Sequence, residues 1–188
     1  MLTSTGNRLF IGSSDGKLYC LDTASGSVVW SFDSGDASPV FGAPSLSADE
    51  AVVYIGTDNS AVFAVSVSTG LSIWSYTAGN RVRTHVIVSS LDNSLVFGCD
   101  DGQIYFLNSD GTQRLPPYSL GTGNVRSSPT FNKAQTAVYA GSSNSQLHAV
   151  STSTGLMLWK VTLGGAIYSS PLVDVDGKVF VGADDSKV

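Results

Sequence analysis

The chain has 188 residues, of which 42% are apolar and 13% are charged, and its net charge is −5. This composition allows a substantial hydrophobic core and excludes an intrinsically disordered acidic chain, in which apolar residues are scarce. Only ten basic residues are present, which argues against a phosphate-binding surface and therefore against nucleic acid as a partner.

No apolar run approaches the roughly 20 residues that a membrane-spanning helix needs, so no membrane span is predicted. The first residues lead directly into a strand pattern and lack the basic and then apolar segments of a signal peptide. Cys20 and Cys99 lie far apart in the sequence, which argues against a disulfide framework or a metal cluster. We expect both to be small buried apolar residues.

From the N-terminus onward one pattern recurs. It contains an apolar strand closed by glycine, a polar turn, a second strand, a Ser/Thr-Gly turn and then, in three copies, a tryptophan. The glycines that close the first of these strands are spaced 44, 42, 43 and 41 residues apart, at Gly12, Gly56, Gly98, Gly141 and Gly182. A period of about 40–45 residues made of four short strands is typical of a β-propeller blade. No segment shows helical periodicity.

The sequence therefore predicts an all-β fold, a β-propeller of four-stranded antiparallel blades, with about four blades present out of a ring of seven or eight. The predicted units, two partial blades around three complete ones, are residues 1–38, 39–80, 81–123, 124–164 and 165–188. In the first complete blade, strands are expected near residues 41–46, 52–55, 62–65 and 71–76.

The predicted ring is incomplete. The chain is expected to begin at the second strand of one blade and to stop just after the second strand of another. Such an arc would leave blade faces and sheet edges exposed at both ends. Three explanations stay open: a fragment of a longer protein, a pair of copies that close one ring, or a strained four-bladed ring in which residues 167–174 complete the first blade.

A glycine followed four residues later by tryptophan recurs in the predicted outer turn and strand. The pairs are Gly26 and Trp30, Gly70 and Trp74, and Gly155 and Trp159. The third unit keeps Gly111 but has Leu115 in the tryptophan position. Because the same residue recurs in several blades, we predict that these tryptophans fill the gaps between blades. Each would contribute a few kcal/mol by burial.

These residues resemble the pyrroloquinoline-quinone (PQQ) enzyme repeat of quinoprotein dehydrogenases and BamB-like proteins. The family's docking segment reads Ala-x-Asp-x-x-x-Gly-Lys-x-x-Trp. Cys20, Asp22, Gly26 and Trp30 occupy its positions in the first unit, with cysteine in place of alanine. The resemblance covers essentially the whole chain. It implies a quinoprotein-like propeller and an extracytoplasmic location, although no signal peptide is recognised in this chain.

The same resemblance implies two possibilities for cofactors. Quinoprotein dehydrogenases hold PQQ in the funnel of an eight-bladed propeller, between a tryptophan and a disulfide of adjacent cysteines, beside a Ca²⁺ bound by Glu, Asn and Asp. This chain has no adjacent cysteines, and its single glutamate, Glu50, is predicted in a turn on the opposite face. We therefore expect no cofactor, no metal site and no catalytic residue; PQQ and Ca²⁺ belong only to the dehydrogenase alternative.

Functional residues on a propeller are expected in the loops that enter the inner strands around the central channel. Aligning these loops on Pro44, Val88, Pro129 and Pro171 places four different side chains at one position, namely Phe41, His85, Arg126 and Tyr168. Arg81 and Arg83 lie in the same loop as His85. The hypothesis is a polar pocket or contact surface for an acidic group or peptide. The alternative is that these are ordinary variable loop residues.

Two functions remain open at this point. The first is a non-catalytic PQQ-like propeller that acts as a scaffold for a protein or a small acidic ligand at the channel face. The second is a fragment of a PQQ- and Ca²⁺-dependent alcohol or sugar dehydrogenase whose active-site residues lie outside this chain. The other histidine, His148, stands in the strand position of Tyr19, Phe63 and Tyr105, so it is predicted to be a packing residue.

Overall fold

The computed structural model describes residues 1–185, in which we find seventeen strands and no helix. Three complete sheets have four strands each, and each strand pairs with its neighbour in the chain. A three-stranded sheet precedes them and a two-stranded sheet follows. The all-β prediction of four-stranded blades is thus confirmed. Within residues 1–185 there is no helix long and apolar enough to cross a membrane.

The strands follow the chain blade by blade. The first sheet has β1 (Arg8–Gly12), β2 (Lys17–Asp22) and β3 (Val28–Asp33). The second has β4 (Ser45–Leu46), β5 (Val52–Gly56), β6 (Ala61–Ser66) and β7 (Ser72–Thr77). The third has β8 (Ile87–Val88), β9 (Leu95–Gly98), β10 (Gln103–Leu107) and β11 (Gln113–Ser119). The fourth has β12 (Thr130–Phe131), β13 (Ala137–Gly141), β14 (Gln146–Ser151) and β15 (Met157–Thr162). The last has β16 (Leu172–Val173) and β17 (Val179–Phe180).

The inner strand of each complete blade is short. In the second blade only Ser45 and Leu46 pair with β5, opposite Tyr54 and Val53. The strand expected at residues 41–46 is therefore reduced to its last two residues. Pro44, just before it, has no N–H to give to a ladder, which favours an irregular approach to the sheet.

The two ends of the arc correct the prediction in two ways. Leu2 lies opposite Leu9, and the Phe10 N–H donates to the Met1 carbonyl at 2.8 Å, so residues 1–2 occupy the inner-strand position of the first blade. The expected start at a second strand is therefore wrong. At the other end β16 pairs with β17, so the closed four-bladed ring, with residues 167–174 in the first blade, is wrong. The last three residues of the predicted unit 165–188 lie outside the described residues.

Four apolar clusters fill the spaces between neighbouring blades. Between the second and third blades, Tyr54 and Ala64 on one side meet Phe97 and Leu107 on the other. The central strands are buried on both faces, and all five residues of β13 are buried. This explains why these strands are continuous apolar runs and do not alternate with polar residues.

Two tryptophans join neighbouring blades as the repeat predicted. The Trp30 indole N–H donates to the Val67 carbonyl at 2.9 Å, and a Cβ added at Gly70 would lie 2.7 Å from the ring. The Trp74 indole N–H donates to the Ser109 carbonyl at 3.0 Å, and its ring lies in the same way against Gly111. Both glycines have positive φ, so the turn needs glycine for its backbone as well as for the space. Trp159 packs on Tyr139 of its own blade.

A second set of contacts links the blades at the opposite end of the sheets, and the sequence reading missed it. In the turn after the inner strand of each complete blade, one residue with positive φ accepts a hydrogen bond, through its side-chain oxygen, from a backbone N–H of the preceding blade. Glu50 accepts from Ser4 at 2.7 Å, and Asn93 accepts from Ala48 at 3.1 Å. Gln135 accepts from Ser90 at 3.2 Å. The signal in the sequence was a side chain with an acceptor oxygen at the same turn position in all three complete blades.

Candidate functional site

The loops that enter the inner strands all lie at the same end of the blades. Each is fixed by a backbone bond from a buried apolar residue to the turn after the second strand of the preceding blade. Val82 donates to Thr57 at 3.0 Å, and Val125 donates to Cys99 at 3.1 Å. We call this end the channel face, formed by the loops 35–44, 79–86, 121–129 and 164–171.

The structure changes the alignment of these loops. A Cβ added at the glycine that closes the second strand in any of the first four blades would collide with one apolar side chain of the next loop, in turn Val40, Val82, Val125 and Ile167. The equivalent residues one step later are therefore Phe41, Arg83, Arg126 and Tyr168. The prediction that His85 occupies this position is therefore wrong, because Arg83, two residues earlier, occupies it. The loop of the third blade lacks the proline that marks the others, and Val86, not Val88, precedes its inner strand.

The two arginines of this row form ion pairs across the blades. Arg83 donates from Nε to Asp58 at 2.8 Å and from its terminal nitrogen to the other carboxylate oxygen at 2.5 Å. Arg126 holds Asp100 in the same bidentate way, with both distances 2.9 Å. The Asp58 and Asp100 side chains are only 11% and 3% exposed. Each pair therefore links one blade to the next at a shielded position.

The charge of these pairs is largely balanced within the site. Burial of Asp100 opposes its ionisation, but the hydrogen bonds from Arg126 and Asn124 outweigh burial and hold the pKa of that carboxyl below its usual value. The bond to Asp58 raises the pKa of Arg83. Arg81 is the freer cation, since its side chain is 52% exposed and its Nε lies 4.0 Å from Asp58.

We call the contact between two neighbouring blades a seam. At the channel face the four seams share one pairing rule, which was not predicted from the sequence. Where the second residue after the closing glycine is Asp58 or Asp100, the next blade supplies an arginine. Where it is Ser14 or Ser143, the next blade supplies an aromatic residue at the arginine position. This residue is Phe41 in the seam of Ser14 and Tyr168 in the seam of Ser143. The sequence contains this pairing, of aspartate with arginine and of serine with an aromatic residue. It was missed because the loop of the third blade was aligned with His85, and not Arg83, at this position.

Aromatic side chains flank the two arginines. Phe41 is 57% exposed and Tyr168 is 47% exposed, both large fractions for such residues. The Arg83 guanidinium lies 5.3 Å from the centre of the Phe41 ring, within cation–π range. The channel face thus presents a row of aromatic, arginine, arginine and aromatic side chains on consecutive blades. We call it the channel-face row, formed by Phe41, Arg83, Arg126 and Tyr168.

His85 lies apart from this row, on the channel side of the inner strands. Its backbone N–H donates to the Ser128 hydroxyl at 3.0 Å, and its Nε2 lies 3.3 Å from the Pro44 carbonyl oxygen. It thus bridges the blades on either side of its own. With hydroxyl groups from Ser45, Thr130 and others it lines a groove of about 430 Å³ along the inner strands.

The residues present do not fit PQQ and Ca²⁺. Residues 1–185 contain no group of three or more His, Cys, Asp or Glu side chains that could hold a metal ion. Asp58 and Asp100, the shielded carboxylates of the channel face, are held by arginines. Both cysteines are buried and free, and burial raises the pKa of the Cys99 thiol to about 12. Such a thiol is inert at neutral pH.

Comparison with known proteins places the chain in one family. The family model described as outer membrane protein assembly factor BamB matches residues 1–134 and again residues 118–188. Among solved structures, the crystal structure of BamB from Moraxella catarrhalis is similar, with a TM-score of 0.80 and 19% sequence identity. The similarity covers 97% of this chain and 56% of that one, so the chain spans about half the length of that relative. A search of curated protein sequences found no match.

Proposed function

Because the chain belongs to the family of the outer membrane protein assembly factor BamB, we propose that it is a non-catalytic PQQ-like propeller that binds a protein partner at the channel face. The observation that carries this proposal is the channel-face row. It exposes two aromatic rings on either side of two arginines that are already oriented by buried carboxylates. A rigid platform of this kind loses little side-chain entropy on binding.

The chemistry of the row indicates the kind of partner. Phe41 and Tyr168 are anchors of the type that dominates protein interfaces, whereas Arg83 and Arg126 are occupied by aspartates. Arg81 adds a more exposed positive charge beside them. We therefore propose a peptide segment or loop that carries apolar side chains next to a carboxylate. No cofactor takes part in this proposal, and no observation on residues 1–185 favours the dehydrogenase alternative.

The proposal includes a location. The family's description refers to the assembly of outer membrane proteins, and we propose that this chain likewise works outside the cytoplasm. Fractionation of cells that make the native protein tests this point separately, because a cytoplasmic pool would contradict the location but leave the binding surface standing.

Site-specific photo-crosslinking tests the surface. A photoreactive amino acid replaces Phe41 or Tyr168 in the native host, and Leu91 serves as the matched control, since it is 74% exposed in a turn at the opposite end of the blades. We expect one protein to crosslink from the first two positions and not from Leu91. Equal crosslinking from all three positions would contradict the proposal.

Affinity measurements with the purified partner then define the contributions. Removing both anchors, with Phe41→Ala and Tyr168→Ala, is expected to weaken binding at least ten-fold, as loss of interface anchors does. Arg81→Ala is expected to slow association more than it speeds dissociation, because an exposed charge mainly steers encounter. Arg83 and Arg126 are unsuitable for this test because they hold the blades together.

A further inference from the structure

The seam between the third and fourth blades is packed differently from the two seams before it. In each blade three residues lie opposite one another across neighbouring strands and point into the seam with the next blade. The rows are Phe10, Cys20 and Trp30 in the first blade, Tyr54, Ala64 and Trp74 in the second, and Val96, Phe106 and Leu115 in the third. The third row therefore has one aromatic ring where each earlier row has two.

The turn of the fourth blade shows that leucine fills less of this seam than tryptophan does. A Cβ added at Gly70 or Gly111 would lie 2.7 or 2.6 Å from the tryptophan ring of the preceding blade, which is too close. At Gly155 the same atom would lie 3.5 Å from Leu115, an ordinary van der Waals contact. Gly155 keeps the positive φ of Gly70. The turn backbone is thus retained, and the side chain against it is smaller.

A pocket of about 180 Å³ lies in this seam, at the end of the blades opposite the channel face. Its apolar wall includes Val96 and Phe106 of the third blade and Phe131 of the fourth, and Thr152 and Ser153 line the other side. Apolar cavities of about 150 Å³ in proteins bind benzene. The pocket therefore has room for one aromatic ring.

The pocket contains a hydrogen-bond acceptor that the earlier seams already use. In the first seam the Trp30 indole N–H donates to the Val67 carbonyl at 2.9 Å. Thr152 follows β14 as Val67 follows β6, and it lines the pocket. The Leu115 side chain has no N–H to donate to the Thr152 carbonyl. A ring with an N–H can make this bond in its place.

The charges at the pocket are balanced. Arg114 and Asp92 form an ion pair there. Within residues 1–185 the pocket is lined by no other charged side chain. An ionic ligand would have to break this pair or remain without a counter-charge, and both are costly in a shielded place. The pocket therefore suits an uncharged ring.

We propose that this pocket binds a small, uncharged, planar aromatic molecule with an N–H donor, of which indole is the simplest example. The ring lies between Phe106 and the turn at Thr152, and its N–H donates to the Thr152 carbonyl. The bound molecule takes the role of the docking tryptophan that the third blade lacks. The pocket lies at the opposite end of the blades from the channel-face row, so the proposal is independent of partner binding there.

Titration with indole, followed by NMR of the backbone amides, tests the proposal. We expect saturable shifts at Thr152 and Ser153 and none at Val67, where Trp30 already fills the seam. Benzofuran has the same shape without the N–H, so it should bind roughly five-fold more weakly. The absence of saturable shifts with millimolar indole, or equal binding of the two molecules, would overturn the proposal.

Substitutions in the third row give the matched protein control. The double variant Phe106→Ala and Leu115→Trp reproduces Ala64 and Trp74 of the second blade, so its own indole should occupy the pocket. We expect indole to bind this variant at least roughly ten-fold more weakly. Unchanged binding to the folded variant would contradict the proposal.

Two further measurements keep the test decisive. If the double variant does not fold, Val96→Phe, which restores the ring of Phe10, is expected to weaken indole binding by a similar factor, and unchanged binding would again count against the site. A protein crosslinked from a photoreactive residue at Leu91, which also lines the pocket, would show that a partner's side chain fills it. That result would overturn the assignment to a small molecule.

Discussion

The seam between the second and third blades and the outer face of the fourth blade contain the same element of sequence. Trp74 and Trp159 each follow a turn glycine by four residues, and each packs on a tyrosine of its own blade, Tyr54 or Tyr139. Within residues 1–185, Trp74 has a glycine of the next blade against its ring and Trp159 does not. The docking tryptophan thus supplies one side of an inter-blade contact, and its contribution to stability depends on the residues that the next blade places against it.

Substitution of these two tryptophans gives the largest expected effect. Trp74→Ala removes a ring held between two blades, so we expect the free energy of unfolding to fall by about 3–5 kcal/mol. Trp159→Ala removes a ring that is 42% exposed, and we expect a loss of about 1 kcal/mol. Urea unfolding of both variants measures the difference. Equal losses would show that the neighbouring blade adds nothing.

The arginine seams allow a second comparison. Arg126→Ala leaves the nearly buried Asp100 without its bidentate partner, and we expect a loss of about 2–3 kcal/mol. Arg81→Ala removes a side chain that is 52% exposed and only near a carboxylate, so the change should stay within about 0.5 kcal/mol. Thermal unfolding of both variants at neutral pH measures the two losses of stability. A large effect of Arg81→Ala would contradict this account of the site.

The seam between the third and fourth blades is expected to respond to pH. His148 is 3% exposed and lies 3.0 Å from the Tyr118 hydroxyl, and burial lowers its pKa to about 4. Between about pH 6.5 and this folded value the unfolded chain binds the proton and the folded chain does not, so stability falls as the pH falls. We expect a loss of about 2.5 kcal/mol across this window.

His148→Phe tests the assignment, because Phe63 occupies the same position in the second blade. This variant is expected to keep its stability nearly constant from pH 6.5 to 4.5, as measured by urea unfolding at several pH values. If the slope with pH were the same in both proteins, another group would be responsible.

The smallest expected effect comes from the turn contacts at the opposite end of the blades. Gln135→Ala removes the bonds to the Ser90 backbone and hydroxyl, and we expect a loss of about 1 kcal/mol or less. The fifth blade has Gly177 at this position. Gln135→Gly should therefore cost less than Gln135→Ala, because it relieves the positive φ, and a greater cost would contradict the geometry.

The fold could be predicted because each unit repeats its own local rules. The closing glycines and polar turns mark strand ends, and the recurring Gly-x-x-x-Trp spacing excludes a single-use site. The inner strand of residues 1–2 escaped prediction because two residues carry no period. The length of the inner strands was not predicted. Pairing there begins where the entering loop becomes extended, and the apolar content of the segment does not mark that residue.

The candidate site was predicted only in part. Phe41, Arg126 and Tyr168 were placed in one row, and Arg83 takes the position assigned to His85. The ion pairs were missed because Arg83 and Asp58 are 25 residues apart in sequence. Nothing in one unit shows that its turn lies beneath the loop of the next. The contribution of the channel-face row to partner binding stays a prediction.

The apolar clusters that unite this chain lie between consecutive blades, and this has a consequence for its dynamics. A chain of units coupled only to their neighbours behaves as a one-dimensional cooperative system. Within residues 1–185 the first and last sheets each pack against one neighbouring sheet, so in the 188-residue chain studied by itself their amides should exchange faster than those of the third blade. A partner that spans the channel-face row would clamp several units at once, and opening any of them would then require releasing the partner.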